Sequence, residues 1–276
     1  MRTESNIGLA ASRRRFLKTA FGTLALTGLL RRPAFAEPQQ LAARIAETPE
    51  SHVLAAPLRR AAKALSDFES VQDYQATFVR QELVGKSLIK SRMALKLRHD
   101  PFSVYVKYLE PNAGREAIYV EGQHDNLVLA HETGFASLVG TLRLDPKGKL
   151  AMEGNRYPIT MIGIRKMVES VIEQWLQFAA SEDVKVNFYP DAKIADQSCQ
   201  VYETLLAAPV NNLAYQTIRL YFDAESGLPI RSQSYGFAEK NAAKPPLLED
   251  YHYQSLKMNV GLSNSDFDTA NFEYNY

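Results

Sequence analysis

The breaks between apolar segments constrain this chain more than any other feature. Between Val71 and Leu144, runs rich in Val, Ile, Tyr, Phe and Thr are separated only by Gly85-Lys86, residues 110–114, residues 122–125 and Thr133-Gly134. Parallel neighbours need a crossover of a dozen or more residues, so strands joined by gaps this short pair antiparallel, as a meander. Strands are expected at 74–82, 88–98, 102–109, 115–121, 126–132 and 135–144. After Asp145-Pro146-Lys147-Gly148 the period changes, and Ile164, Met167, Val168, Val171, Ile172, Trp175 and Leu176 mark one face of a helix over 162–180. Strand patterns resume at 184–188, 199–207, 215–223, 228–236 and 248–257. About eleven strands in this order accumulate too much twist to remain a flat sheet. The expected fold is therefore mainly β (α+β): a strongly curved antiparallel sheet, or incomplete β-barrel, of about eleven strands with helices covering the concave face.

Ahead of the strands, Leu58, Ala61, Ala62, Leu65 and Phe68 recur at helical spacing, with Arg59, Arg60 and Lys63 on the other side. One amphipathic helix is expected there, preceded by a polar, proline-punctuated lead over 37–56 that reads as flexible. Residues 1–36 read as a twin-arginine signal peptide. Arg13 and Arg14 stand before Phe16-Leu17-Lys18, a short apolar run follows over 19–30, and Ala34-Phe35-Ala36 supplies small residues for cleavage ahead of Glu37. The run is about a dozen residues, whereas a membrane span needs roughly 20. Arg31 and Arg32 after the run disfavour the general secretory route. The organisation expected is a signal over 1–36, the lead over 37–56 and one domain over 57–276. The product would be a soluble periplasmic protein whose partner during export is the twin-arginine translocase.

The leader would remove seven of the 32 Lys and Arg and one of the 31 acidic residues, leaving 25 bases against 30 acids and a net charge near −5. Such a domain lacks the basic footprint that neutralises phosphates, so nucleic acid is not expected as a partner. Cys199 is the single cysteine, which excludes an internal disulfide. Metalloprotease, nucleophile-elbow, phosphate-loop and dinucleotide motifs are missing, so no catalytic residue, metal or cofactor is assigned. His124, His131 beside Glu132, and His252 beside Glu249 and Asp250 sit on expected turns or strand ends and read as solvated surface histidines. Arg115-Glu116 and Arg156-Tyr157 read as strand-end pairs that fix loops, with a polar site as the other reading.

Several segments carry a family likeness. The strand Tyr74-Gln75-Ala76-Thr77-Phe78, then Met93 to Arg98, Pro101 to Val106, and Ile118-Tyr119-Val120-Glu121-Gly122 resemble the LolA/LppX-type carriers of lipoproteins and lipids. The C-terminal segments Glu249-Asp250-Tyr251-His252-Tyr253 and Asn259-Val260-Gly261-Leu262 are similar too. Gly114 to Val120 together with Arg156-Tyr157-Pro158-Ile159-Thr160 look like a family of exported bacterial proteins defined only as a domain of unknown function. The likeness spans about 58–276. It implies a carrier that holds a lipid, a lipoprotein acyl chain or another hydrophobic ligand, with transient membrane contact. In such carriers an arginine latches a helical lid and a phenylalanine follows four residues on. Arg98 and Phe102 have that spacing, although Arg98 also reads as a strand end beside Asp100.

The apolar faces supply the candidate ligand-binding residues. From the strands come Phe78, Met93, Leu95, Val104, Val106 and Ile118; from the helix region come Met161, Ile164, Met167, Val171 and Trp175. Periodicity does not separate a packed core from a cavity at these positions. The alternatives to a carrier are an exported interaction platform with a filled interior and a hydrolase with a polar convergent cleft.

Overall fold

The computed structural model describes residues 38–181, 183–209, 213–238 and 244–276. The expected signal residues Arg13, Arg14, Ala34 and Ala36 lie outside them. A single curved, unclosed antiparallel sheet of eleven strands carries the fold, in the order β6-β5-β4-β3-β2-β1-β11-β10-β9-β8-β7. The first half comprises β1 (Asp73–Val84), β2 (Ser87–His99), β3 (Phe102–Glu110), β4 (Glu116–Val120), β5 (Val128–His131) and β6 (Leu142–Leu144). The second half comprises β7 (Val184–Ile194), β8 (Gln197–Leu206), β9 (Tyr215–Asp223), β10 (Pro229–Gly236) and β11 (Leu247–Met258).

This order explains the helix between the halves. The first meander runs outward from β1 to the edge at β6, whereas the second starts at the opposite edge, β7, and returns until β11 pairs with β1. The chain must therefore cross the sheet once. It does so as α3 (Ile164–Phe178), whose buried stripe includes Ile164, Val168, Val171, Ile172 and Trp175. Fifteen residues at about 1.5 Å each span about 22 Å. Trp175, fully buried, anchors the far end by donating its Nε1–H to Thr204 Oγ1 at 2.9 Å. At the near end, the backbone N–H groups of Gly163 and Ile164 donate to the hydroxyls of Tyr253 (2.9 Å) and Tyr74 (3.0 Å), satisfying groups that a helix start leaves unpaired. Gly163 takes φ +126, and a Cβ there would stand 2.9 Å from Leu97 Cδ1, so glycine is required at this join.

Two further helices pack beside α3: α1 (Pro38–Ala46) and α2 (Ala55–Asp67). The stretch expected to be a flexible lead is thus partly structured. Leu41 and Ile45, one turn apart, are buried, and Arg44 Nη1 reaches both carboxylate oxygens of Glu173 on α3 at 2.8 and 2.7 Å. The segment expected as a strand over 135–144 also differs. Gly134–Val139 forms a 3-10 turn, Gly140 turns the chain at φ 76, and only Leu142–Leu144 pairs with β5. Strand β7 runs past Pro190 as far as Ile194, and it does so as an edge strand, where a missing N–H is tolerated.

The main core fills the space between the concave face and the helices. A second, smaller cluster lies on the convex face, where Leu262 and Phe267 cover Tyr105, Ile118, Val120 and Leu129. Tyr274 stacks on Tyr105 at 4.0 Å, and Asn275 donates twice to the buried carboxylate of Glu116.

Candidate functional site

Pairing register decides which side chains meet above the concave face, because directly opposed residues in an antiparallel ladder share a face. One row runs through Leu97, Tyr74 and Val104; the next through Leu95 and Ala76; the third joins Met93, Phe78 and Tyr253. Two rows further along the strands are polar. Ser91, Arg80, Tyr251 and Ser232 form one, and Glu82, Glu249 and Ser234 form the other. The concave wall therefore grades from apolar to charged along β1, β11 and β10.

Over this gradient α3 and the 145–163 connection do not close onto the sheet. They leave a hollow of about 180 Å³, measured as the space open to the centres of water-sized spheres. Phe78, Met93 and Val106 line it from the sheet, and Met161, Met167 and Val171 from the cover. The remaining expected residues lie elsewhere. Leu95, Val104, Ile164 and Trp175 are fully packed in the core at 0–1% exposure. Ile118 faces the opposite way: it pairs with Tyr105 and Leu129 on the convex face, while its neighbour Ala117, opposite Val106, lines the hollow. Phe102 borders a second hollow of about 450 Å³ on the same measure, beside His99, Tyr119 and Arg165; this hollow adjoins the first at Ile162, Gly163 and Lys166.

Arg98 shares the convex face with Ser103 and Val120, whereas α3 packs on the concave face. Its guanidinium donates to Asn264 Oδ1 (2.8 Å) and Ser103 Oγ (3.0 Å) and lies over the Phe267 ring, so it ties the C-terminal segment to the sheet.

The sequence offers Arg156-Tyr157 as a polar site only as the alternative to fixing loops, and points to none of its partners. Arg156 and Tyr157 reach across to β11: Arg156 Nε lies 3.0 Å from Glu249 Oε1, and the Tyr157 hydroxyl donates to the same oxygen at 3.0 Å. Tyr215 donates to it as well, at 2.5 Å. Glu82 accepts from Tyr251 (2.7 Å), from the Arg156 backbone N–H (2.8 Å) and from Arg80 (3.3 Å). Burial pushes the Glu249 carboxyl above its ordinary range, against the pull of Arg156, Tyr215 and Tyr157. Burial, with the two carboxylates adding to it, holds Tyr251 far above the usual phenol value. The available signal was the period of two: Arg80 and Glu82 continue the face of Phe78, and Glu249 and Tyr251 continue that of Tyr253.

The histidines divide. His124 is exposed, as expected; His131 ends β5 and His252 lies inside β11, but both are buried, at 9% and 8% exposure, rather than solvated. His131 lies against the Tyr276 ring at 5.7 Å, and His252 stands between Val79 on β1 and Arg231 on β10. Among the described residues no group of three or more His, Cys, Asp or Glu is placed to hold a metal ion. No described helix is long and apolar enough to cross a membrane.

Comparison with known proteins fixes the family. The family described as "Protein of unknown function (DUF1571)" matches residues 71–276. The chain belongs to that family. No curated protein matches it. Among solved structures, this DUF1571 member is similar to the Mycobacterium tuberculosis lipoprotein LppX, with 11% identity, TM-score 0.44, and coverage of 77% of this chain and 98% of that one. It is also similar to a putative outer membrane lipoprotein-sorting protein domain from Vibrio parahaemolyticus, at 15% identity and TM-score 0.35, covering 76% and 95%. A DUF1329 family protein from Desulfovibrio piger aligns at 10% identity and TM-score 0.39, covering 79% and 98%. LolA/LppX-type proteins are thus among the structures this DUF1571 protein resembles.

Proposed function

We propose that the protein is an envelope carrier that holds the hydrocarbon chain of a lipid or an acylated protein in the hollow between the concave sheet and α3. One observation carries this reading: between the packed ends of α3, Met167 and Val171 face Phe78, Met93 and Val106 across unfilled space, so apolar walls enclose a lumen. Each methylene is worth about 0.8 kcal/mol on leaving water. A chain thus crosses between membranes only inside a lumen as apolar as the bilayer, and the carrier need only match the membrane it unloads.

A surface beside the mouth supports contact with that membrane. Phe135, Leu138, Val139 and Leu150 are 95%, 85%, 70% and 68% exposed, and Leu150 also lines the hollow. Lys147 and Lys149 are exposed in the chain just ahead of Leu150, which suits an anionic headgroup layer. Export through the twin-arginine translocase, with cleavage after Ala36 and release into the periplasm, belongs to the same proposal and rests on residues 13–36 of the sequence.

Native mass spectrometry of the protein released gently from a bacterial envelope tests both parts. The expected spectrum contains a chain beginning at Glu37 with a lipid adduct, and the delipidated protein takes up a pyrene-labelled acyl chain. Val171→Trp, which fills the lumen from α3, is expected to abolish uptake. A protein that emerges without adduct and leaves the labelled chain unbound ends the carrier reading.

A further inference from the structure

Building on the carrier reading, we infer that the hollow selects an amphiphile with an uncharged, hydroxyl-bearing head, of the acylglycerol class. Its head would lie against Gln174 and the polar rows of β10 and β11, and its chain along Phe78, Met93 and Met167.

Three features lead there. First, the hollow is amphipathic along the strands: at two-residue steps β1 passes from Phe78 to Arg80 to Glu82, and β11 from Tyr253 to Tyr251 to Glu249, all lining one lumen. A ligand that was hydrocarbon throughout would bury those polar groups against methylenes. Second, the cations at the hollow already face carboxylates. Arg156 sits 3.0 Å from Glu249, Arg80 3.3 Å from Glu82, Arg115 2.7 Å from Glu132 and Lys166 2.9 Å from Glu169. A carboxylate or phosphate head could pair with Arg156 or Arg80 only by parting it from its glutamate, leaving a buried carboxylate uncompensated. An ammonium head would strand an arginine in the same way.

Third, a neutral polar group in the wall lacks a partner. Gln174 lines the hollow from α3, is 3% exposed, and finds no donor for Oε1, although its Nε2 lies 3.2 Å from Ser170 Oγ. Such atoms are rare in native interiors and expensive to leave unmade. A hydroxyl both donates and accepts, so it satisfies whichever end of the amide turns to the lumen. Ser232 and Ser234 bring two more hydroxyls to the same lumen.

Competition against the pyrene-labelled chain tests the inference with three ligands of one chain length: monoolein, oleate and oleoyl-lysophosphatidylglycerol. Monoolein is expected to bind tightest. Gln174→Leu should weaken monoolein about five- to tenfold, the loss of one hydrogen bond, while leaving oleate unchanged; Gln174→Met serves as a second replacement of similar length. Oleate or the lysophospholipid binding as tightly as monoolein would refute the head assignment and leave the carrier reading intact. An equal loss for all three ligands would show that Gln174 shapes the lumen rather than reading the head, and would likewise refute it. Failure of every chain to bind would remove both proposals together.

Discussion

His252 on the convex face of β11 shows how one residue couples this sheet to pH. Its ring is 8% exposed and opposes Arg231 on β10; Nδ1 meets Gln254 Nε2 at 3.2 Å and Nε2 has no partner. Burial, with Arg231 adding to it against Asp250, lowers its pKa from 6.5 to about 4. His99 is lowered to about 4 as well, by burial and then Arg165. Both rings are neutral in the folded protein at pH 5, whereas the unfolded chain has bound protons there. The unfolded state thus holds more protons between about pH 6.5 and 4, and stability falls as the pH drops through that window. Thermal melts are expected to show the midpoint declining from pH 7 to 4, with a shallower decline in His252→Gln. A wild-type midpoint flat across that range would contradict the buried neutral state.

Among the elements, α1 departs most from expectation, and its tie to α3 is specific enough to test. Arg44 holds the Glu173 carboxylate in a two-point contact while Glu173 is only 4% exposed. Removing the guanidinium strands a buried charge. The full penalty for breaking a buried pair is about 3–5 kcal/mol, but the Arg44 side chain is 40% exposed, so water screens part of it and about 1–2 kcal/mol is expected. Denaturant unfolding of Arg44→Ala should show that loss, and hydrogen exchange should quicken over residues 38–46. Unchanged exchange would mean that α1 is not held by this contact.

The strands and α3 were legible in the sequence because their periods of 2 and 3.6 and their turn residues act locally. What escaped was set by register. Ile118 and Ala117 are both apolar enough for either face, and only the pairing of Ala117 with Val106 assigns Ile118 to the convex side. The polar rows escaped for the converse reason. Charged residues at strand positions read as solvent-facing, and nothing local announces that Arg156 from a distant loop will meet Glu249 across the lumen. The helix α1, nine residues with Leu41 and Ile45 buried, is too short to stand alone and is formed by packing that sequence pattern does not display.

For the molecule as a whole, the position of the exposed patch relative to the hollow is what would turn a binding protein into a carrier. Leu150 is exposed and also lines the lumen with Leu144 and Pro146, and Phe135, Leu138 and Val139 are exposed on the turn that leads into β6, so on the carrier reading a molecule docked through these side chains would present the lumen to the docked surface. Burying a Phe or Leu side chain is worth about 1.5–3 kcal/mol each, which suits a contact that forms and breaks rather than a permanent anchor. Replacing both Phe135 and Leu138 by Ser should therefore lower association with anionic vesicles of phosphatidylglycerol and phosphatidylethanolamine by about tenfold or more. Transfer of the labelled chain between vesicles should slow to the same degree. Affinity for the same chain presented in detergent-free solution should not change, because neither side chain lines the hollow. If the double variant transfers the chain at the wild-type rate, loading does not pass through this patch, and another opening, such as the hollow bordered by Phe102, would have to serve.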